Sequence, residues 1–154
     1  MEIEELSTDL IAVFEGCRLR AYQDSGGVWT IGFGETGPQV VEGATCTYEQ
    51  ARAWLRAQIQ WLLPLVGNLP VLQAAALVSF GYNSGRSHLL NVLAGRDTIL
   101  NPVHSTDRKG NVVPGLVARR KLEADLYLLA LEATGAPGPA TAAPDAAPAP
   151  TQIS

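Results

Sequence analysis

The sequence predicts an α+β protein, mostly helical, with a small β-hairpin lobe beside a larger helical lobe. Three observations lead there. Apolar residues recur at helical spacing along most of the first 134 positions. One stretch only, "RLRAYQDSGGVWTIGF", reads as strand, turn and strand. The chain is 154 residues long and 47% apolar, enough for a single core and one domain.

The elements follow in order. Ile3, Leu6, Leu10, Val13 and Phe14 share one helical face, and Gly16 stops it, so a helix is expected over about 3–15. "RLRAYQD" and "VWTIGF" are strands joined by "SGG". A three-residue loop over 25–27 pairs Asp24 with Val28 and Tyr22 with Thr30. Residues 34–46 are a Gly- and Pro-punctuated loop. Thr47 and Gln50 form a capping box that opens a helix with Ala51, Trp54, Leu55 and Leu62 on one face, and Pro64 ends or kinks it. "NLPVLQAAALVSFGYN" is apolar nearly all round and predicts a buried central helix from about Pro70. "SHLLNVLAG" gives a short helix ending at Gly95, and "RKGN" a turn at 108–111. The last helix, in "PGLVARRKLEADLYLLALEATG", carries Leu122, Leu126 and Leu129 at periodic positions and stops at Gly135. From there the composition turns to Ala and Pro without aromatics. Such a segment buries too little to offset its ordering entropy, so residues 1–134 are read as the domain and 135–154 as a disordered tail.

Composition excludes several function classes. A net charge of −4 leaves no electrostatic footprint for nucleic acid. The charge is uneven, with nine acids and four bases over 1–66 against five acids and seven bases over 67–134. The second half could meet an anionic polymer, though scattered bases on a solvated face read the same way. Cys17 and Cys46 make no disulfide framework, and no CxxC or Cys/His cluster in the sequence suggests a metal. They read as two isolated buried thiols, with a bond between them open in an oxidising space. The acidic start "MEIEELSTDL" lacks the features of a signal peptide, and no apolar run spans a membrane. Accumulation in the cytosol of the producing cell is expected.

Chemistry concentrates around the hairpin. Glu15 ends the first helix, where the negative end of the helix dipole disfavours a second negative charge. Apolar neighbours such as Phe14 penalise ionisation further, so this carboxyl suits a general acid. Alternation along the strands puts Asp24 and Thr30 on one face. A carboxylate and a hydroxyl so placed can hold a water. Inverting glycosidases need that water and keep their two carboxyls roughly 6.5–9.5 Å apart to admit it. Taken singly, each residue has an ordinary reading: a helix-end carboxylate, a turn aspartate, a strand-forming threonine. Trp29 reads as core under the hairpin, Tyr82 and Asn83 as packing and capping residues.

The stretch "EGCRLRAYQDSGGVWTIGFG" resembles the core motif of the phage-type lysozymes, or endolysins, of glycoside hydrolase family 24, and matches E-x8-D-x5-T in full. "LVSFGYNSG" and "VVPGLVARRKLEADL" are similar to that family's central and closing helices. The resemblance spans about 6–131 and implies a lysozyme-like two-lobed fold. It implies Glu15 as proton donor, Asp24 as general base or electrostatic stabiliser, and Thr30 as the residue orienting the water. Gly34, Glu35, Tyr82, Asn83 and Arg119 become candidate substrate-binding residues, with Arg119 or Arg120 near Glu15 or the substrate's carboxylates. The implied substrate is the β-1,4 bond between N-acetylmuramic acid and N-acetylglucosamine in bacterial peptidoglycan, cleaved with inversion and without metal or cofactor. A monomer is expected, held in the host cytoplasm until a separate holin opens the way to the wall.

Two departures stand out. Glu35 replaces the family's usual His after "IGFG" and is expected to point to solvent, the alternative being a carboxylate near the cleft that raises neighbouring pKa values. "NPVHSTDRKGN" replaces its aromatic segment before "LPGL", where His104 or Arg108 could take over part of the sugar platform, while His104 reads first as a surface-loop histidine. A lytic transglycosylase and a non-catalytic wall-binding module are the rival readings. Asp24 and Thr30 count against the first, and the intact three residues against the second.

Overall fold

The computed structural model describes residues 2–134; the tail at 135–154 lies outside them. The elements are α1 (Glu2–Glu15), β1 (Arg18–Gln23), β2 (Trp29–Gly32), α2 (Tyr48–Ile59), α3 (Leu63–Val66), α4 (Val71–Ser84), α5 (Arg86–Leu93) and α6 (Pro114–Thr134), with a 3-10 turn at Pro102–Ser105 before α6. Apart from the two-stranded antiparallel sheet, the described residues are helix and loop. Among them no helix is long and apolar enough to cross a membrane.

The centre of the molecule is α4. Its residues from Gln73 to Gly81 are all buried, because α1, α5 and α6 pack around it. Ile11 of α1, Leu55 and Ile59 of α2, Leu77 and Phe80 of α4 and Leu89 of α5 meet in one core. Removing such side chains from water is the dominant favourable term, at about 1.5–3 kcal/mol each. The capping box at Thr47 and Gln50 forms in full, with the Gln50 amide N–H donating to Thr47 Oγ1 at 3.1 Å and the Thr47 N–H to Gln50 Oε1 at 2.8 Å. The start of α2 is tied to α1 through Arg52, buried between Asp9 (2.6 Å) and Glu5 (2.5 Å).

The hairpin has the expected register. Tyr22 pairs with Thr30 and Gln23 with Trp29, and the Asp24 N–H donates to Val28 O at 3.0 Å. A register shift between Arg18 and Tyr22 re-aims the start of β1. The loop behind it supplies a further partner that the punctuation by Gly and Pro does not foretell: Ala21 N–H donates to Ala44 O, and Cys46 N–H to Leu19 O, both at 2.9 Å. Gly32 closes β2 at φ 65°, where an added Cβ would sit 3.1 Å from Ala51 Cβ. Its lack of a side chain lets the sheet lie directly on α2.

Four expectations need correction. Pro64 does not end α2, which stops at Ile59; it sits in the first turn of the separate helix α3, where its missing N–H costs nothing. Leu122 and Leu129 are 39% and 52% exposed, so their stripe is not the packed face of α6. That face carries Arg119, Arg120, Glu123 and Ala124, whose charges are paired inside. His104 is no surface histidine. It is buried, its ring edge-on to Phe80 at 5.0 Å and to His88 at 4.8 Å, with Nε2 2.9 Å from Asp97 Oδ2. Finally, the two thiols are free and half-buried but not isolated: burial pushes both up, and for Cys17 the neighbouring Cys46 adds to it.

Candidate active site

The cleft opens where α1 runs into the hairpin. Glu15 is the last residue of α1, and Gly16, at φ 66°, turns the chain sharply into β1. A space of about 380 Å³ follows, walled by Glu15, Gly16, Cys17, Arg18, Tyr22, Gly32, Phe33 and Gly34. A second, of about 450 Å³, is walled by Val13, Phe14, Glu15, Asn83, Val113, Gly115, Leu116, Ala118 and Arg119. Glu15 is a wall of both, and the two spaces together are called the groove below.

Its position is set from α6. Arg119 Nη1 donates to Glu15 Oε1 at 2.6 Å, and the guanidinium lies 4.9 Å from the Phe14 ring centre. The expected guanidinium beside Glu15 is therefore Arg119. Glu15 Oε2 takes no hydrogen bond from any described residue, and 27% of the side chain is exposed.

Arg119 is itself clamped. Its Nε donates to Glu123 Oε1 at 3.1 Å, and Nη2 to the carbonyl and hydroxyl of Ser79, both at 3.2 Å. Ser79 Oγ donates to Glu123 Oε1 at 2.6 Å. Glu123 is fully buried, and burial pushes its carboxyl up against the pull of Arg120, Ser79 and Arg119. Glu123 Oε2 lies 3.2 Å from Arg120 Nη1 without a hydrogen bond, and Arg120 in turn holds Ser84 Oγ (2.8 Å) and Asn83 Oδ1 (2.6 Å). Neither Glu123 nor Ser79 is singled out by the sequence reading. The signal for Glu123 is its place four residues after Arg119 on one helix.

The hairpin contributes the other two residues. Asp24 Oδ1 accepts from Gly26 N–H (2.8 Å) and Val28 N–H (2.9 Å), so the carboxylate fixes the turn with one oxygen. Its Oδ2 takes no hydrogen bond from a described residue. Thr30 is 5% exposed and donates its hydroxyl proton to Val28 O at 3.0 Å. Neither residue belongs to the walls named above. Tyr22 does, and it pairs with Thr30 across the ladder, so alternation sends Tyr22, Asp24 and Thr30 to the same side. Arg18 lies over the Tyr22 ring at 4.2 Å.

The remaining candidates separate. Gly34 and Asn83 line the groove. Glu35 does not point to solvent: it is half-buried, and its Oε2 accepts from Gln58 Nε2 at 2.6 Å. Gln58 Oε1 accepts from the Tyr82 hydroxyl at 3.1 Å, so a chain of three side chains joins α4, α2 and the loop after β2. Burial, then Glu15, pushes the Tyr82 hydroxyl up to about 12, with Glu35 adding and Arg119 opposing. It thus remains a donor. Gln58, the link of this chain, carries no signal in the sequence. His104 and Arg108 are absent from the walls of the groove.

The family model described as phage lysozyme matches residues 12–123. Among curated proteins, the endolysin of Acyrthosiphon pisum secondary endosymbiont phage 1 is 34% identical over 144 residues, covering 82% of this chain and 98% of that protein. The endolysin of Salmonella phage P22 is 32% identical over 134 residues, covering 74% and 89%. Among solved structures, the muramidase domain of SpmX from Asticaccaulis excentricus has a TM-score of 0.64 at 33% identity, covering 79% of this chain and 94% of that one. The endolysin of Escherichia coli O157:H7 phage FAHEc1 has a TM-score of 0.65 at 30% identity, covering 83% and 94%.

Proposed function

The chain belongs to the phage lysozyme family, and on that premise we propose how its groove hydrolyses the peptidoglycan of a bacterial wall. It is an endolysin that acts on peptidoglycan. The bond cleaved in this reading is the β-1,4 link between N-acetylmuramic acid and N-acetylglucosamine, and the mechanism is inverting. The observation that carries it is the placement of Glu15: one oxygen held by Arg119 at 2.6 Å, the other without a hydrogen bond from any described residue, on a side chain that walls both spaces.

Arg119 decides which oxygen faces the substrate. A guanidinium only donates, so the oxygen it holds stays an acceptor, and Oε2 is the oxygen through which a proton can be handed on. The sugar chain lies in the groove with its glycosidic oxygen at Oε2. As the bond to the leaving sugar breaks, Oε2 gives that oxygen its proton.

Asp24 and Thr30 hold the attacking water. Thr30 spends its own proton on Val28 O, so its oxygen is left as an acceptor. Asp24 offers Oδ2 as a second acceptor, since Oδ1 is fixed by the turn. A water donating to both presents its lone pair outward, toward the anomeric carbon. It attacks from the face opposite the leaving oxygen and passes its proton to Asp24, which inverts the centre. Gly34 and Asn83 serve as walls for the glycan. Glu35 and Tyr82 act one step removed, by joining the two lobes through Gln58. Release to the wall through a separate holin, after residence in the host cytoplasm, and action as a monomer complete the reading.

Digestion of purified peptidoglycan tests the bond and the reaction together. New muramic acid ends that borohydride reduces are expected. 1,6-anhydro ends would assign a lytic transglycosylase, which needs no water. No soluble product, with binding retained, would assign a non-catalytic module.

A further inference from the structure

Outside the groove, the fold gathers three side chains that the proposed hydrolysis does not use. His88 lies on α5, Asp97 in the loop that follows it, and His104 in the 3-10 turn before α6. One ligating atom from each lies within 4.8 Å of the others. His104 is 7% exposed, while Asp97 and His88 are half-buried. No spacing in the sequence announces this group, because it is assembled by the loop folding back on α5.

One pair of the three already stands near the spacing of metal ligands. Zn–N bonds of about 2.0–2.1 Å and Zn–O bonds of about 2.0–2.2 Å, set tetrahedrally, place neighbouring ligand atoms roughly 3.3–3.5 Å apart. His104 Nε2 and Asp97 Oδ2 are already 2.9 Å apart, sharing a proton. Exchanging that proton for a cation needs an opening of only about half an ångström. His88 has to approach by somewhat more, as a half-buried ring on the first turns of α5. The carboxylate is also aimed: Asp97 Oδ1 accepts from the Thr98 N–H and from Asn101 Nδ2, both at 2.8 Å, which leaves Oδ2 for the site. Outer hydrogen bonds of this kind orient ligating carboxylates.

We propose that His88, Asp97 and His104 form a binding site for a divalent transition cation, Zn²⁺ by preference, with water as the fourth ligand. Two imidazoles and a carboxylate suit zinc better than calcium or magnesium, which favour all-oxygen sites. Arg120 is the opposing charge: its guanidinium lies over the Phe80 ring at 5.0 Å, and Phe80 meets the His104 ring edge-on, also at 5.0 Å. The Arg120 charge is offset by Glu123, 3.2 Å away, and Asp97 supplies the negative charge within the site. The bound cation would clasp the loop around Asp97 and the 3-10 turn to α5, and none of its three ligands is a wall of the groove.

Titration of the full chain with Co²⁺ and then Zn²⁺, after dialysis against a chelator, tests this. One equivalent of Co²⁺ is expected to give the intense visible bands of four-coordinate cobalt, and Zn²⁺ to abolish them. Zn²⁺ is expected to raise the melting midpoint of the parent but not of His88→Gln, which keeps the His104–Asp97 bond. Affinity in that variant is expected to fall at least tenfold. A parent that gives only weak six-coordinate bands, or a His88→Gln chain that titrates like it, would leave a hydrogen-bonded histidine–aspartate pair and no metal site. Thiolate-to-cobalt absorption that vanishes in Cys17→Ser would place the metal at the cysteines and overturn the assignment.

Discussion

Glu15→Gln is expected to lose wall-clearing activity by at least about 10²–10⁴-fold, the usual worth of a general acid, while unfolding at the denaturant concentration of the parent. The amide keeps the shape of the side chain, and its oxygen can still accept from Arg119 in place of Oε1, which the guanidinium holds at 2.6 Å. The clamp of Arg119 on Glu123 and Ser79 is therefore left intact. What is lost is a second carboxyl oxygen able to carry and give a proton. Hydrolysis rates on purified walls, measured beside a denaturant melt, separate a chemical loss from a structural one. Near-parental clearing by a folded Glu15→Gln protein would remove Glu15 from the chemistry.

The second large effect is expected at the hairpin. Asp24→Asn keeps an oxygen for the Gly26 and Val28 N–H groups, so the turn persists, but the side chain can no longer take the water's proton. A loss of about 10²–10⁴-fold is expected, as for other bases. Thr30→Ala removes one acceptor from the water and is expected to cost about tenfold or somewhat more, the scale of one hydrogen bond of 1–2 kcal/mol. If both residues hold one water, the double variant loses less than the product of the two single losses, because residues acting as a unit are not additive. Rates for the parent, both single variants and the double variant decide this. Losses that simply multiply would mean that the two residues act apart.

Much of this architecture is readable before folding, and particular residues show why. The hairpin register follows from alternation and a three-residue Gly-containing loop, both local, and Tyr22 pairs with Thr30 as expected. The start of α2 is readable because a capping box is a contact between residues three apart. The proposed catalytic three are legible only jointly, through the resemblance of one continuous stretch to a family motif. What escapes depends on distant partners. On α6 the leucine stripe at Leu122 and Leu129 looks like the buried face, yet the helix turns Arg119, Arg120 and Glu123 inward. Those charges are tolerated inside because Ser79, Asn83, Ser84 and Glu15 come from other helices to meet them. His104 looks like a loop histidine until Asp97 and Phe80 are brought to it. Glu35 looks like a solvated acid until Gln58 of α2 reaches it.

The stereochemistry of the first product tests the central claim most directly. A water held by Asp24 and Thr30 on the side of the sugar opposite Glu15 releases the new reducing end as the α-anomer, before mutarotation scrambles it. Proton NMR of a soluble peptidoglycan fragment, recorded during the first minutes of digestion, reads that configuration. The α-anomer appearing first is the expected result. The β-anomer appearing first would mean a retained centre, and so a mechanism in which Asp24 and Thr30 do not hold the attacking water.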